Sequence, residues 1–378
     1  MTEDRVYLDH AATTPIRPEA LEAMLPYLTM MAANPAASYR SARTARRALE
    51  EAREATAGVL GARPSEIFFT SGGTESNNWA LRALLSPAKQ HIVTDAAEHL
   101  SVLAVCDVLK SEGYDVSLAD VDRCARASLE STASLIRPDT AMVSVMYANN
   151  ETGALNDVRA ISRAAHERGV PFHTDAVAAV GHVSIDVARD EVDLLSLSAH
   201  KFYGPAGVGA LYIRQGFRPA ALLQGGHQER GLRAGTQNVA GAVGLARALE
   251  LAAADIHSET ERLRRVRSTF RNALTEELPG VWFLTPDDAS LPGTLTVCIP
   301  GLNAAAALIQ LDRDGFEVAA GAACSAGAEK TSHVFLAAGM SPQDSRSVLR
   351  ISLGRTSCEE HAGGVATSLS RAVKRARR

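Results

Sequence analysis

A lysine follows an apolar run near the middle of the chain. Residues 192–197 are mostly apolar, and Lys201 comes shortly after them, just before a glycine and a proline. Burial disfavours the charged form of a lysine and lowers its pKa. A neutral amine can act as a nucleophile and form a Schiff base. By itself, such a lysine more often extends from a strand end into solvent, so its neighbours must decide its role.

Polar side chains also follow two other apolar runs. Asp175 ends the run at residues 170–174, and Asn150 follows the run at residues 141–147. In open α/β sheets, ligands bind at the carboxyl ends of the strands. A lysine and a carboxylate at neighbouring strand ends suit pyridoxal 5'-phosphate (PLP). The lysine binds the cofactor, and the carboxylate keeps the pyridine nitrogen protonated so that the ring accepts electrons.

An ordered set of motifs extends this pattern over nearly the whole chain. It comprises NNETG at residues 149–153, HTDA at 173–176, SAHKFYGPAGVGALY at 198–212 and GAACSAG at 321–327. The set resembles a cysteine desulfurase, a PLP-dependent enzyme of the class V aminotransferase family with fold type I. The resemblance implies an α/β fold like that of aspartate aminotransferase. It has a large domain with a mostly parallel seven-stranded sheet, and a smaller α+β domain.

The hydrophobic periodicity independently favours an α/β fold. Short apolar runs alternate with helical patterns, for example a strand at residues 67–70 followed by a helix at 74–85. Such alternation predicts a mostly parallel sheet covered by helices. A weaker helical pattern covers residues 122–131. We expect a large PLP-binding domain at residues 16–256, and a small domain at residues 1–15 and 257–378 that carries the cysteine loop.

A strand joins a helix through two glycines at residues 70–77. Free amides at a helix start bind phosphate well, although such a turn by itself is usually only a helix cap. The resemblance implies that this turn holds the cofactor phosphate, and that a partner subunit contributes across a homodimer interface. The residues so implicated are Gly73, Thr74, Ser198 and His200, with Thr236 from across the interface.

The resemblance also assigns residues to the cofactor ring and the substrate. It places His99 on the pyridine ring, where it exchanges protons with the substrate, and Asn150 near the ring hydroxyl. Arg350 lies on an apolar strand, where its planar guanidinium suits either an internal ion pair or a substrate carboxylate. The resemblance favours the substrate α-carboxylate, with Asn34 assisting.

Cys324 selects among the possible PLP reactions. It lies in a loop of small residues at 319–330, where little side-chain burial restrains the backbone. In a desulfurase its thiolate takes the sulfur of L-cysteine, leaving L-alanine, and carries it as a persulfide to acceptors for iron–sulfur cluster or thio-cofactor assembly. Alternatives are a selenocysteine lyase or another class V enzyme, in which Cys324 is dispensable.

Two departures from the family pattern suggest a third hypothesis. In it the protein is a weakly active scaffold subunit for sulfur transfer. Ala178 stands where the family usually has a glutamine that donates to the cofactor ring oxygen, and Tyr39 stands where histidine is common. Losing a donor beside a charged oxygen should change the absorbance of the bound cofactor.

The composition limits the binding partners and the cellular compartment that we expect for the protein. A net charge of −4 gives no reason to expect nucleic-acid or membrane binding. The five cysteines are scattered without a CxxC pair, which argues against a disulfide framework or a metal site and for a reducing compartment. The first residues carry no apolar signal region. We expect a cytoplasmic homodimer that acts on L-cysteine and passes sulfur to an iron–sulfur scaffold or another acceptor protein.

Overall fold

A seven-stranded sheet occupies the middle of the computed structural model, which describes residues 5–31, 33–321 and 331–376. Its strands are β2 (Ile67–Thr70), β3 (His91–Asp95), β4 (Asp115–Ala119), β5 (Thr140–Ser144), β6 (Phe172–Asp175), β7 (Leu194–Ser198) and β8 (Gly209–Ile213). They lie in the order β2-β8-β7-β6-β5-β3-β4. Strand β8 pairs antiparallel with both of its neighbours, β2 and β7, and the other neighbouring pairs in this sheet are parallel. The predicted mostly parallel seven-stranded sheet is confirmed.

Shorter strands form two further sheets. They are β1 (Val6–Tyr7), β9 (Trp282–Phe283), β10 (Thr294–Cys298), β11 (Phe316–Glu317) and β12 (Val348–Ser352). Strand β10 pairs antiparallel with both β12 and β9. Strand β1 pairs parallel with β11, which joins the amino terminus to the last third of the chain.

Helices pack around these sheets. They are α1 (Pro18–Thr29), α2 (Arg40–Leu60), α3 (Gly73–Ala83), α4 (Leu100–Ser111), α5 (Leu129–Ser134), α6 (Val158–His166), α7 (Val239–Glu277), α8 (Ala304–Arg313), α9 (His333–Ala337), α10 (Pro342–Ser345) and α11 (His361–Ala376). None of the helices in the described part of the chain has both the length and the apolar character needed to cross a bilayer.

The central strands are buried along their whole length because helices cover both faces of the sheet. On one face Trp79 of α3 packs against Phe68 and Leu211. On the other face Leu49 of α2 and Leu245 of α7 share a cluster with further strand residues. The sheet is therefore a rigid support for the side chains at its strand ends.

A second large apolar cluster joins sequence-distant parts of the chain. It contains Leu8 together with residues from Leu263 to Val373. Helix α7 continues unbroken through residue 256, where we predict the domain boundary, so that boundary falls inside a helix. The division into a large and a small domain stays a prediction.

The weak helix predicted at residues 122–131 is wrong. Ala125 has a φ of 65°, which a right-handed helix excludes. The Asp122 carboxylate accepts hydrogen bonds from the backbone N–H groups of Cys124 and Arg126. An aspartate that bonds to the backbone just after it favours a turn, and α5 begins only after its cap, Ser128.

Candidate active site

A cavity of about 270 Å³ lies at the carboxyl ends of the central strands. Strand β6 ends at its wall with Asp175, and β7 is followed by the short turn Ala199–Lys201. The side chains predicted from the sequence that line this cavity are Gly73, Thr74, His99, Asn150, Asp175, Ser198, His200, Lys201 and Arg350. Parallel strands thus bring together residues from distant parts of the sequence.

The carboxylate of Asp175 is held at both oxygens. Its Oδ1 accepts a hydrogen bond from the Val177 N–H at 2.9 Å, and its Oδ2 accepts one from Asn77 Nδ2 at 2.6 Å. The side chain is 6% exposed. A fixed and buried carboxylate is suited to pairing with a protonated ring nitrogen.

Lys201 lies opposite the amino-terminal segment. Its Nζ donates to the carbonyl oxygens of Ala11 at 2.5 Å and Ala12 at 2.9 Å. Its backbone carbonyl pairs with His182 Nε2 at 2.8 Å. Neighbouring His200 has its pKa lowered to about 4 by burial and by the Lys201 charge. The lysine amine is therefore positioned at the cavity by backbone groups.

The turn before α3 is closely packed and is a candidate site for an anion. Gly72 has a φ of 149°, and a Cβ atom on Gly73 would lie 2.5 Å from Val177 Cγ2. Glycine is required here because the helix start packs directly against the segment that follows β6. The 11-residue helix α3 begins at the cavity wall, where Gly73, Thr74 and Ser198 line it, and the free amides of a helix start are suited to binding an anion.

Sequence reasoning missed the ion pair that braces this turn. Glu75 accepts from the Ser71 N–H at 2.7 Å, and Arg233 donates to both of its carboxylate oxygens, at 2.7 and 2.9 Å. Arg233 precedes Thr236 in the glycine-rich loop. The ion pair therefore ties that loop to the turn before α3. An acid two residues after the Ser-Gly-Gly turn was the available signal.

His99 caps the amino terminus of α4 with its own ring. Its Nδ1 accepts from the Ser101 N–H at 3.1 Å and lies 2.8 Å from Ser101 Oγ. Burial lowers the pKa of His99, the nearby Asp175 charge opposes that shift, and Lys201 adds to it. The Nδ1 edge is occupied by the helix, so the Nε2 edge is the one available to a ligand.

Arg350 forms the internal ion pair that is one of its two sequence-based interpretations, and its role in binding a substrate carboxylate stays a prediction. It is 2% exposed in β12 and lines the cavity. Its Nη2 donates to Asp9 Oδ1 at 2.8 Å, and its Nη1 donates to the Asn150 carbonyl oxygen at 2.9 Å. An internal ion pair thus orients the guanidinium at the wall of the cavity.

Three buried acids near the cavity were not identified from the sequence. Glu98 and Glu151 line the cavity, and burial raises the pKa of both. Burial raises the pKa of Asp95 to about 7. Glu151 Oε2 accepts from Ser332 Oγ at 2.7 Å, and Glu98 accepts from the Met146 N–H. Both cavity acids adjoin predicted site residues in the sequence, which is the signal that would have found them.

The remaining predicted site residues lie elsewhere. In the parts of the chain that the structure describes, neither Asn34 nor Thr236 lines the cavity. Asn34 Oδ1 accepts from the Ala36 N–H at 2.9 Å, and Tyr39 is 52% exposed. Ala178 lines the cavity, as the family position implies. Cys324 lies outside the described residues.

The sequence is similar to proteins of one family. The aminotransferase class-V model matches residues 6–363. The cysteine desulfurase IscS of Dictyoglomus turgidum is 40% identical over 375 residues, which cover 98% of this chain and 95% of that relative. A cysteine desulfurase of Cereibacter sphaeroides is 45% identical over 338 residues, covering 88% of this chain and 87% of the relative.

Solved structures agree with the sequence matches. A NifS-like protein superposes with a TM-score of 0.91 at 36% identity, and the match covers 98% of this chain and 99% of that chain. A structure of SspA in complex with cysteine gives a TM-score of 0.82 at 35% identity, covering 92% of this chain and 98% of that chain.

The fold and the cavity define a PLP-dependent enzyme of fold type I. The chain belongs to the aminotransferase class-V family, and its named relatives place it in the cysteine desulfurase branch. The cavity fits the cofactor: Asp175 suits the ring nitrogen, Lys201 the aldehyde, and the Gly72–Gly73 turn the phosphate.

Proposed function

We propose that the chain is an L-cysteine desulfurase that converts L-cysteine to L-alanine and leaves a persulfide on Cys324. The observation that supports this most is that Lys201, Asp175 and His99 line one cavity together with the guanidinium of Arg350. These groups are what a PLP enzyme needs to hold its cofactor, move a proton and bind an amino acid.

Each side chain has a proposed task. Bound PLP supplies an electron sink for the substrate. Lys201 holds the cofactor and Asp175 pairs with its ring nitrogen. His99 transfers a proton at the cavity, and Arg350 binds the substrate α-carboxylate. Around the phosphate we place Gly73, Thr74, Ser198 and His200, and near the ring hydroxyl Asn150.

The sulfur-transfer step involves Cys324. Its thiolate attacks the sulfur atom of the substrate, so that a sulfur–sulfur bond forms and the carbon–sulfur bond breaks. The electron pair of the broken bond stays with the substrate carbon, which takes a proton and becomes the methyl group of alanine. The persulfide sulfur then passes to an acceptor thiol.

We also propose the oligomeric state, the compartment, the domain division and the sulfur acceptor of this enzyme. The enzyme is a cytoplasmic homodimer in which Thr236 reaches the phosphate of the partner subunit, while Asn34 assists substrate binding. The large domain spans residues 16–256, and residues 1–15 and 257–378 form the small domain. The sulfur acceptor is an iron–sulfur scaffold or another acceptor protein.

The test is an absorbance spectrum of the purified protein before and after L-cysteine is added together with a thiol reductant, which releases the persulfide sulfur as sulfide, with alanine and sulfide measured in the same sample. A visible band from the cofactor on Lys201, with alanine formed in step with sulfide, supports the proposal. Cys324→Ala should keep the band and lose the activity. Cys358→Ala, which alters another cysteine that is not fully buried, should keep both.

The other outcomes identify the alternatives. Alanine formation that is unchanged in Cys324→Ala would indicate a lyase such as selenocysteine lyase. A colourless protein that forms no alanine would indicate a sulfur-transfer scaffold. Ala178 in the cavity wall suggests this alternative.

A further inference from the structure

We propose that Ser101 is a positioning residue that holds the neutral ring of His99 in its Nε2–H tautomer, so that the ring presents a hydrogen donor to the cavity. The functional consequence rests on the proposed function, because it concerns the residue assigned there to proton transfer. The tautomer itself follows from a chain of hydrogen bonds that starts at Asp175.

Asp175 fixes the orientation of the Asn77 amide. The Asn77 Nδ2 atom lies 2.6 Å from Asp175 Oδ2. If the amide were flipped, its oxygen would face a carboxylate oxygen, and two acceptors cannot form a hydrogen bond. Asn77 is 1% exposed, so solvent does not compete for this group. The NH₂ group therefore faces Asp175.

The second hydrogen of that NH₂ group reaches Ser101. Asn77 Nδ2 lies 2.8 Å from Ser101 Oγ. Since the amide nitrogen can only donate, Ser101 Oγ accepts this bond, and the hydroxyl hydrogen remains available to another acceptor. That acceptor is His99 Nδ1, which lies 2.8 Å from the same oxygen.

A second donor converges on the same nitrogen. The backbone N–H of Ser101 donates to His99 Nδ1 at 3.1 Å, as part of the cap of α4. A ring nitrogen that accepts two hydrogen bonds carries its lone pair and not a proton. In the neutral ring the hydrogen must then sit on Nε2.

This arrangement determines whether His99 Nε2 donates or accepts a hydrogen bond in the cavity. Because Nε2 already carries a hydrogen, it donates to an anionic group such as a thiolate. To take a proton at Nε2, the ring would have to place its hydrogen on Nδ1, directly against the Ser101 N–H. In this tautomer the neutral ring donates a hydrogen bond at Nε2, and it exchanges a proton with the cavity only through the protonated ring or the Nδ1–H form, in both of which Nδ1 carries a hydrogen.

The test is the nitrogen NMR spectrum of the holoenzyme labelled with ¹⁵N-histidine. The pattern of two-bond hydrogen–nitrogen couplings distinguishes the tautomers, and His99→Gln assigns the signal among the 11 histidines. The proposal predicts a protonated Nε2 and an unprotonated Nδ1. A wild-type ring with its hydrogen on Nδ1 would overturn it.

Variants at residue 101 test the contribution of the hydroxyl. Ser101→Thr keeps both donors and should keep the pattern. Ser101→Ala keeps only the backbone N–H, so the fraction of the Nδ1–H tautomer should rise about fivefold, as expected for losing one hydrogen bond. Ser111→Ala, on the exposed last residue of the same helix, is the matched control and should change nothing.

An unchanged tautomer ratio in Ser101→Ala would contradict the role of the hydroxyl. In steady-state assays, Ser101→Ala should lower kcat with little change in KM, and Ser101→Thr should restore it. If no variant, nor the wild type, forms alanine from L-cysteine, the proposed function fails, while the NMR result still decides the tautomer. The two failures are therefore distinguishable.

Discussion

Arg350 and Asp9 form an ion pair at the wall of the cavity, with Arg350 Nη2 2.8 Å from Asp9 Oδ1. The pair links the segment that follows β1 to strand β12 near the other end of the chain. It also holds Arg350 at the wall of the cavity in which the proposed function places the substrate. One buried arginine thus joins the architecture of the site to its proposed substrate specificity.

Arg350→Lys should lower kcat/KM for L-cysteine by about 10- to 100-fold, since hydrogen bonds to charged groups contribute about 1.5–3 kcal/mol. Lysine keeps the charge but cannot reproduce the planar fork. Steady-state kinetics measure the effect. Arg355→Lys alters a half-exposed arginine paired with Asp255 and serves as the control. Equal effects of both changes would remove the argument for Arg350 as the carboxylate-binding residue.

Glu229→Gln should destabilise the protein by about 3–5 kcal/mol, because it leaves a buried arginine without its buried charge partner. Arg53 donates to both carboxylate oxygens of Glu229, at 2.7 and 2.9 Å. The side chains are only 3% and 1% exposed. Urea unfolding measures the change in the free energy of unfolding.

The matched control for that experiment is Glu50→Gln. Glu50 also pairs with Arg53, but its side chain is 52% exposed. Exposed ion pairs contribute about 0–1 kcal/mol, so this variant should unfold nearly as the wild type does. A similar loss in both variants would mean that burial of the Arg53–Glu229 pair is not the cause.

Asp95→Asn should flatten the pH dependence of stability between about pH 4 and pH 7. Burial raises the pKa of Asp95 to about 7 in the folded protein, whereas an unfolded aspartate has a pKa of about 3.9. Between these values the folded state binds more protons, so this group makes stability fall as pH rises. The contribution is fully present below about pH 4 and lost above about pH 7.

Urea unfolding at several pH values measures this slope. Asp139→Asn alters a carboxylate whose pKa is lowered by Arg137 at the surface, and it should leave the falling slope in place. A slope that is the same in Asp95→Asn and the wild type would show that other groups produce it.

Ala178→Gln should shift the visible absorbance of the holoenzyme. The resemblance assigns a glutamine at this cavity-lining position to the cofactor ring oxygen, and a new donor there favours the charged form of that oxygen. Ala178→Met adds similar bulk without a donor and should leave the band unchanged. An identical shift in both variants would indicate that bulk, and not a hydrogen bond, is responsible.

The sequence predicts those parts of the site that depend on strand ends. Lys201 and Asp175 come together because parallel strands share one carboxyl edge, which short apolar runs make visible. The same reasoning locates His99, which follows β3. The weak helix predicted at residues 122–131 is wrong because the Asp122 side chain bonds to the backbone just after it, which overrides helical spacing there.

Other parts of the site depend on contacts that spacing does not reveal. Asn77 reaches Asp175 and Ser101 only because α3 and α4 pack side by side. The raised pKa of Asp95 follows from its burial, which the sequence of a strand that ends in a single acid does not reveal. Such networks follow from tertiary packing, and periodicity carries information only about the elements themselves.

The most direct test of the account is mass spectrometry of the peptide that contains Cys324 after a single turnover with L-cysteine. The account predicts that this peptide gains the mass of one sulfur atom while an equal amount of alanine appears, and that Lys201→Ala abolishes both. Alanine formed without added sulfur on Cys324, or added sulfur in the Lys201→Ala variant, would contradict it.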